Sequence, residues 1–296
     1  MDKRLLISLW LIFALLESIV LAFNVQEVKA FDYISIEPNG QVLGTDKIAK
    51  LNDTVYVFTD DLANSTVRVH RSNIIIDGAG HTLGPGASDI AGIEVDSLSN
   101  VTIKNIKIED FGAGIWIHAS SHIVISGNSI AKSVYGLSVD LSDNNVFSEN
   151  NLTNSQGGIV LLSSNRNTLI GNNITDNAEA GVTLIWGADN IIFHNIFLNN
   201  TSNAYVEDTV NIWDNGYPSG GNYWDDYLTL YPNATEIDNS NIGDAAYGID
   251  ANNVDHYPFM TSSTISEYPV FIVVLPIFMA TTLLSVVIYK RKSAAL

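Results

Sequence analysis

Gly92, Gly114, Gly136, Gly158 and Gly181 recur at intervals of 22, 22, 22 and 23 residues, each opening an alternating apolar run. A second series, Ile108, Ile130, Leu152, Ile174 and Ile196, keeps step at 22. A fixed period of this size specifies stacked supersecondary units rather than one globular core. Gly114-Ile-Trp-Ile-His118, Gly136-Leu-Ser-Val-Asp140 and Gly158-Ile-Val-Leu-Leu162 alternate strictly. Ile123-Val-Ile-Ser-Gly-Asn128-Ser-Ile130 fits a leucine-rich LxLxxNxL pattern, but the second alternation occupies the stretch such a repeat needs for its helical or loosely extended return. No ten-residue window is helical in period, and Gly, Asn, Asp and Ser punctuate every unit. The expected fold class is all-β: a right-handed parallel β-helix of about 22-residue coils with N- and C-terminal caps.

Alternation sends Ile93, Val95, Ile115, Ile117, Leu137, Val139, Ile159, Leu161, Val182 and Leu184 inward, like stacked on like. Asn128, Asn150 and Asn172 fall at turns, where asparagine tolerates left-handed geometry and can bond amide to amide between coils. The open ends of a stack need covers. Residues 31–71, with strand-like runs outside the period, are expected to form the N-terminal cap, and residues 72–208 the repeats. Residues 209–260, aromatic and acidic, are expected to form the C-terminal cap, with exposed aromatics there a second reading as a sugar platform.

Both ends point to a membrane. Lys3 and Arg4 precede an apolar run to Phe23, and Val28-Lys29-Ala30 offers a cleavage site, so residues 1–30 are expected to be a signal peptide. After a linker, 261–268, residues 269–289 form an almost wholly apolar segment ending before Lys290, Arg291 and Lys292. At about 1.5 Å per residue a helix here would reach the ~30 Å of a bilayer core, with the basic tail, 290–296, cytoplasmic. The localisation expected is a single-pass plasma-membrane protein with an extracellular ectodomain.

Residues 31–289 hold 8 Lys+Arg against 29 Asp+Glu, a net −21. That charge repels phosphate backbones and excludes nucleic acid as a partner. Surface polysaccharide or envelope proteins, besides the membrane itself, are the partners left. The chain has no cysteine, so neither disulfides nor thiolates enter.

Asn73-Ile-Ile-Ile-Asp77-Gly-Ala-Gly80-His81-Thr-Leu, the repeats, Gly221-Asn-Tyr-Trp-Asp-Asp-Tyr227, Ile242-Gly-Asp244 and Ile249-Asp250 together resemble one family. It is the β-helix surface proteins of archaea, related to the β-helix domain of NosD, the periplasmic copper-associated protein; the likeness covers roughly residues 32–260. The resemblance implies a metal-handling accessory role, which the lack of cysteine and a single ectodomain methionine, Met260, disfavour. Family members often carry a calcium-loop-like run before Ile-Gly-Asp. Here that makes Asp238, Asn241 and Asp244 the calcium candidates, with several acidic positions missing.

One constellation stands out on the outward positions. A column reads Glu94, Trp116, Ser138, then Val160, Thr183 and Val206; the adjacent one reads Asp96, His118, Asp140, then Leu162 and Ile185. Glu94, Trp116 and Ser138 are glycan-binding candidates. Asp96, His118 and Asp140 are catalytic candidates for a polysaccharide hydrolase or lyase, two carboxylates flanking a proton carrier. With no Lys or Arg expected in the columns to neutralise a uronate, a non-catalytic, membrane-anchored glycan-contacting module is the favoured reading. Eight sequons, at Asn52, Asn64, Asn100, Asn151, Asn173, Asn199, Asn200 and Asn233, are glycosylation candidates.

Overall fold

The computed structural model describes residues 32–86 and 90–262. The expected signal peptide and membrane segment lie outside the described residues. Among the described residues, no helix is long and apolar enough to cross a membrane.

The chain winds as a right-handed parallel β-helix of about seven coils. Each regular coil contributes one six-residue strand and two three-residue strands, and these stack into three sheets. The first sheet carries Asp32–Ile36, Ser65–Val69, Ala91–Asp96, Ala113–His118, Tyr135–Asp140, Gly157–Leu162, Ala180–Ile185 and Ser202–Glu207 in spatial order. The second runs from Val55–Phe58 to Ile191–Phe193, and the third from Thr82–Leu83 to Tyr223–Trp224. All ten side chains expected inward in the first sheet are buried, at 0–1% exposure. Each contributes roughly 1.5–3 kcal/mol of apolar burial.

The two sequence ladders turn out to pack on each other. A Cβ on Gly136 would stand 2.6 Å from the Gly158 carbonyl oxygen and 2.6 Å from Leu152 Cδ2; one on Gly92 would meet the Gly114 oxygen at 2.7 Å and Ile108 at 3.0 Å. Glycine is required there because its position faces a core already filled by the third sheet. The series has one slip. A 23-residue coil separates Gly158 from Gly181, and its extra residue carries through, so Ile174 pairs with Phe197 and not with Ile196. Phe197 is buried, while Ile196 pairs with Asn173.

The N-terminal cap is smaller than expected. Ser65–Val69 pairs in parallel with Ala91–Asp96, and Val55–Phe58 with Ile74–Asp77, so both belong to the coils despite their irregular spacing. Covering falls to two antiparallel strands, Val42–Leu43 on Asp32–Ile36 and Ile48–Lys50 on Val55–Phe58. Reversed strands at an edge prevent further parallel addition.

At the corners, a residue with positive φ turns the chain and the next side chain points into the stack. Gly127, Glu149, Gly171 and His194 hold φ of 64°, 55°, 66° and 58°. The left-handed residue thus precedes each asparagine; it is not the asparagine itself. Asn128, Asn150, Asn172, Asn195 and Asn222 are at most 1% exposed. Each donates its backbone N–H and Nδ2 to Oδ1 of the next, as Asn128 does to Asn150, both at 3.1 Å. Nδ2 also donates to a carbonyl of the preceding corner, Ile125 for Asn150 at 2.9 Å. A second asparagine ladder, Asn145, Asn167, Asn190, Asn211, Asn253, stands at another corner. The third corner carries Ser133, Ser155, Asn177 and Asn200.

All three ladders donate towards the C-terminal end, and each ends on carboxylates. Asn222 N–H donates to Asp255 Oδ2 at 2.7 Å. Asn253 Nδ2 donates to both oxygens of Asp250, at 3.0 and 2.9 Å. Asn200 Nδ2 donates to Asn203 Oδ1, and Asn203 Nδ2 to Asp225 and Asp226. The aromatic tail covers these ends: Trp224 stacks between Phe197 and Tyr247, and Trp213, Trp224 and Tyr227 are buried. They form an interior, not a sugar platform.

Burial pushes the Asp255 carboxyl up to about 7 from its ordinary 3.8, against the N–H groups of Asn222, Trp224 and Tyr257 that favour the anion. Between these two values the native chain keeps a proton that the unfolded chain releases, so its contribution to stability falls as pH rises through the window. Asp255→Asn is expected to remove that slope, measured as unfolding free energy from pH 4 to 8; profiles parallel to wild type would refute it. Asn150→Leu leaves the Asn128 donors without an acceptor, each costing about 1–3 kcal/mol. We expect urea unfolding to report a loss of about 3 kcal/mol or more.

Candidate functional site on the outward face of the first sheet

The register places the expected columns side by side. Glu94, Trp116 and Ser138 are successive Cα partners, as are Asp96, His118 and Asp140. At the far end Thr183 pairs with Tyr205, not Val206, because the last coil returns to a 22-residue step. At the near end Arg68 pairs with Glu94, so the first column does contain a cation, hidden in the sequence by its 26-residue offset.

His118 Nδ1 lies 3.1 Å from Asp140 Oδ2, and its ring stacks on Trp116 with centroids 5.4 Å apart and planes 10° apart. With the proton on Nδ1 the imidazole donates to Asp140 and leaves Nε2 as an acceptor towards solvent. Asp96 does not join this pair. It is exposed and accepts from Ser97 Oγ at 2.9 Å. Of the three catalytic candidates the structure joins His118 and Asp140 and leaves Asp96 apart, two coils from Asp140, about 9.6 Å at strand spacing.

Beside the dyad is a depression of about 410 Å³, lined by Ile90, Ala91, Glu94, Gly112, Ala113, Trp116, Val134 and Tyr135. Ala91, Ala113 and Tyr135 are Cα partners in a third outward column, continued by Gly157. The Tyr135 ring leans over Gly157, where a Cβ would stand 3.0 Å from Cδ1. Ala91 and Ala113, only 8% and 9% exposed, line the depression together with Trp116 and Tyr135 and give it an apolar floor. Glu94 supplies the charged lining group; Arg68 Nε donates to its Oε2 at 2.7 Å, and the Arg68 guanidinium lies 3.9 Å from the Tyr33 ring centroid. Of the glycan candidates, Glu94 and Trp116 line the depression and Ser138 does not. Tyr135 and the alanines were missed because counting alternation from Gly136 turns them inward; aligning the residue before each glycine, Ala, Ala, Tyr, Gly and Ala, would have exposed the column.

The calcium candidates are dispersed among separate bonds. Tyr217 Oη donates to Asp238 at 3.2 Å. Asp244 accepts from Thr235 N–H and Oγ1, which hold its carboxyl below the usual range. Asn241 Nδ2 donates to the Thr261 carbonyl. Copper fits no better. His81, His118 and His256 each face one carboxylate, of Asp61, Asp140 and Asp214 respectively, and His194 faces the Ser219 carbonyl. No group of three His, Cys, Asp or Glu among the described residues could hold a metal ion. Of the sequons, Asn52, Asn100, Asn199 and Asn233 are exposed, whereas Asn64, Asn151, Asn173 and Asn200 are half-buried, the last within its ladder.

No curated protein sequence matches the chain significantly. Among solved structures it is similar to the periplasmic alginate epimerase AlgG, at 15% identity over 56% of this chain and TM-score 0.39. It spans 63% of that chain. It is also similar to an alginate lyase from Paenibacillus sp. str. FPU-7, at 11% identity over 54% of this chain and 80% of that one, TM-score 0.28. The A-module of mannuronan C-5 epimerase AlgE4 from Azotobacter vinelandii matches at 17% identity over 60% of this chain and 70% of its own, TM-score 0.28. The family described as periplasmic copper-binding protein (NosD) matches residues 35–229. That match covers most of the coils and the Asn222-Tyr-Trp224 motif, and the chain belongs to the NosD family.

Proposed function

We propose that this chain is a cell-surface module that binds glycan on the outward face of its first sheet without transforming it. The observation that carries this reading is the depression walled by Trp116 and Tyr135 beside Glu94. Aromatic faces flanking a small apolar floor suit the CH-rich face of a sugar ring, while a few placed polar groups set orientation. Tethering by residues 269–289, with the sheets outside the cell, is part of the same proposal and rests on the sequence. On that topology the exposed Asn52 and Asn233 are the sequons best placed for modification.

A second reading, a hydrolase or lyase, draws on the His118–Asp140 bond. It is the weaker one. Asp96 stands apart from the dyad, and Arg68 is already committed to Glu94 and Tyr33. Full-length chain in detergent, incubated with a glycan panel, is expected to bind at least one glycan and release neither reducing ends nor unsaturated products. Trp116→Ala should weaken that binding about tenfold, a loss of about 1.4 kcal/mol. New products that vanish in His118→Ala would establish the enzyme instead. Protease added to intact cells should shed the β-helix; protection until lysis would overturn the topology.

A further inference from the structure

Resting on the glycan-binding reading, we infer that the depression selects neutral N-acetylated sugars and rejects uronates. Three features of the site converge on that class. The first is charge. Glu94 is the charged group lining the depression, and Asp96 and Asp140 stand in the adjacent column. The nearest cation in the columns, Arg68, already donates to Glu94 at 2.7 Å and covers the Tyr33 ring. A sugar carboxylate would enter next to like charge with no uncommitted cation to receive it, which is unfavourable in a partly dry site.

The second is the floor. Ile90, Ala91, Ala113 and Val134 present hydrocarbon, which offers no hydrogen-bond partner to the hydroxyl that a bare hexose carries in place of an acetamido group. An acetamido methyl matches it. The third is the set of polar groups carried by the lining residues. Trp116 Nε1 and Tyr135 Oη make no hydrogen bond to any described residue, and Glu94 Oε1 is left open when Oε2 takes Arg68. Two donors and one acceptor around an apolar floor complement an amide: its carbonyl accepts from Trp116 or Tyr135, its N–H donates to Glu94, and its methyl rests on the alanines.

The test titrates the full-length chain in detergent with three trisaccharides: β-1,4-linked N-acetylglucosamine, cellotriose, which has the same backbone without the acetamido groups, and trigalacturonate. We expect the N-acetylated trimer to bind at least about tenfold more tightly than either of the others. Ala113→Leu, which fills the floor, should abolish the preference, and Glu94→Gln should improve trigalacturonate binding by removing the like charge and releasing Arg68. Equal binding of cellotriose, or preference for trigalacturonate, overturns the N-acetyl inference and leaves the glycan reading standing. An N-acetyl preference unchanged in Ala113→Leu places it elsewhere and also overturns the inference. Binding of no trisaccharide here and of nothing on the wider panel defeats both.

Discussion

A coil of this protein cannot satisfy its own corners. At each corner a backbone N–H turns along the stack, away from any partner in its own coil, and buried amides of that kind cost about 1–3 kcal/mol when unpaired. Asparagine solves the problem by donating twice, from N–H and Nδ2, and accepting twice, at Oδ1, along one line, so each coil completes its predecessor and depends on its successor. The series starts at residues with no polar side chain: Ile106, Ile123 and Phe111 N–H donate to Asn128, Asn145 and Ser133. These three series stop on carboxyl oxygens that accept the last donors, those of Asp255, Asp250, Asp225 and Asp226. Much of the acidity of the closing segment is thereby explained by the ladders, and no cation has to be invoked for it.

Register follows from the same dependence. Because every amide meets its counterpart one coil on, an inserted residue shifts everything behind it together. The 23-residue coil shows this, with Leu162 meeting Ile185, Thr168 meeting Ile191 and Ile174 meeting Phe197. The architecture, the inward residues and the first asparagine ladder were legible in the sequence because each repeats one residue type at one spacing. Where the type changes, the pattern was harder to read. The corner of Ser133, Ser155, Asn177 and Asn200 mixes serine with asparagine, and the ladder from Asn145 to Asn253 takes steps of 22, 23, 21 and 42. Arg68 escaped for the same reason, lying beyond an irregular coil. The ends of the acidic chains belong to no period, and only folding brings Asp255 beneath Asn222.

The candidate site was legible in part. Trp116, Glu94 and the His118–Asp140 pair follow from two-residue alternation combined with the period. Asp96 occupies its expected column but bonds to Ser97, since adjacency in a column does not fix where a side chain points. His81, His118 and His256 each face a different single carboxylate, and His194 faces the Ser219 carbonyl. Family membership therefore accounts for the scaffold, while the donor set gives no support to copper.

The depression itself traces back to the glycines. In an unbroken alternation the residue before Ile93 would face solvent and the one before that would face the core. The third sheet intervenes: Ile108 and Phe111 already fill the interior beside Gly92, and the chain accommodates them by turning its side-chain-free position inward. The residue ahead of the glycine is displaced to the outside and freed from the stacking rule that keeps the inner columns uniformly aliphatic. That column can therefore hold Ala91, Ala113, Tyr135, Gly157 and Ala180 in sequence, a variety no inward column tolerates. Two alanines beside a tyrosine that reclines over a glycine make a hollow. The constraint that holds the core in register thus leaves one outward column free to vary, and the depression opens along that column.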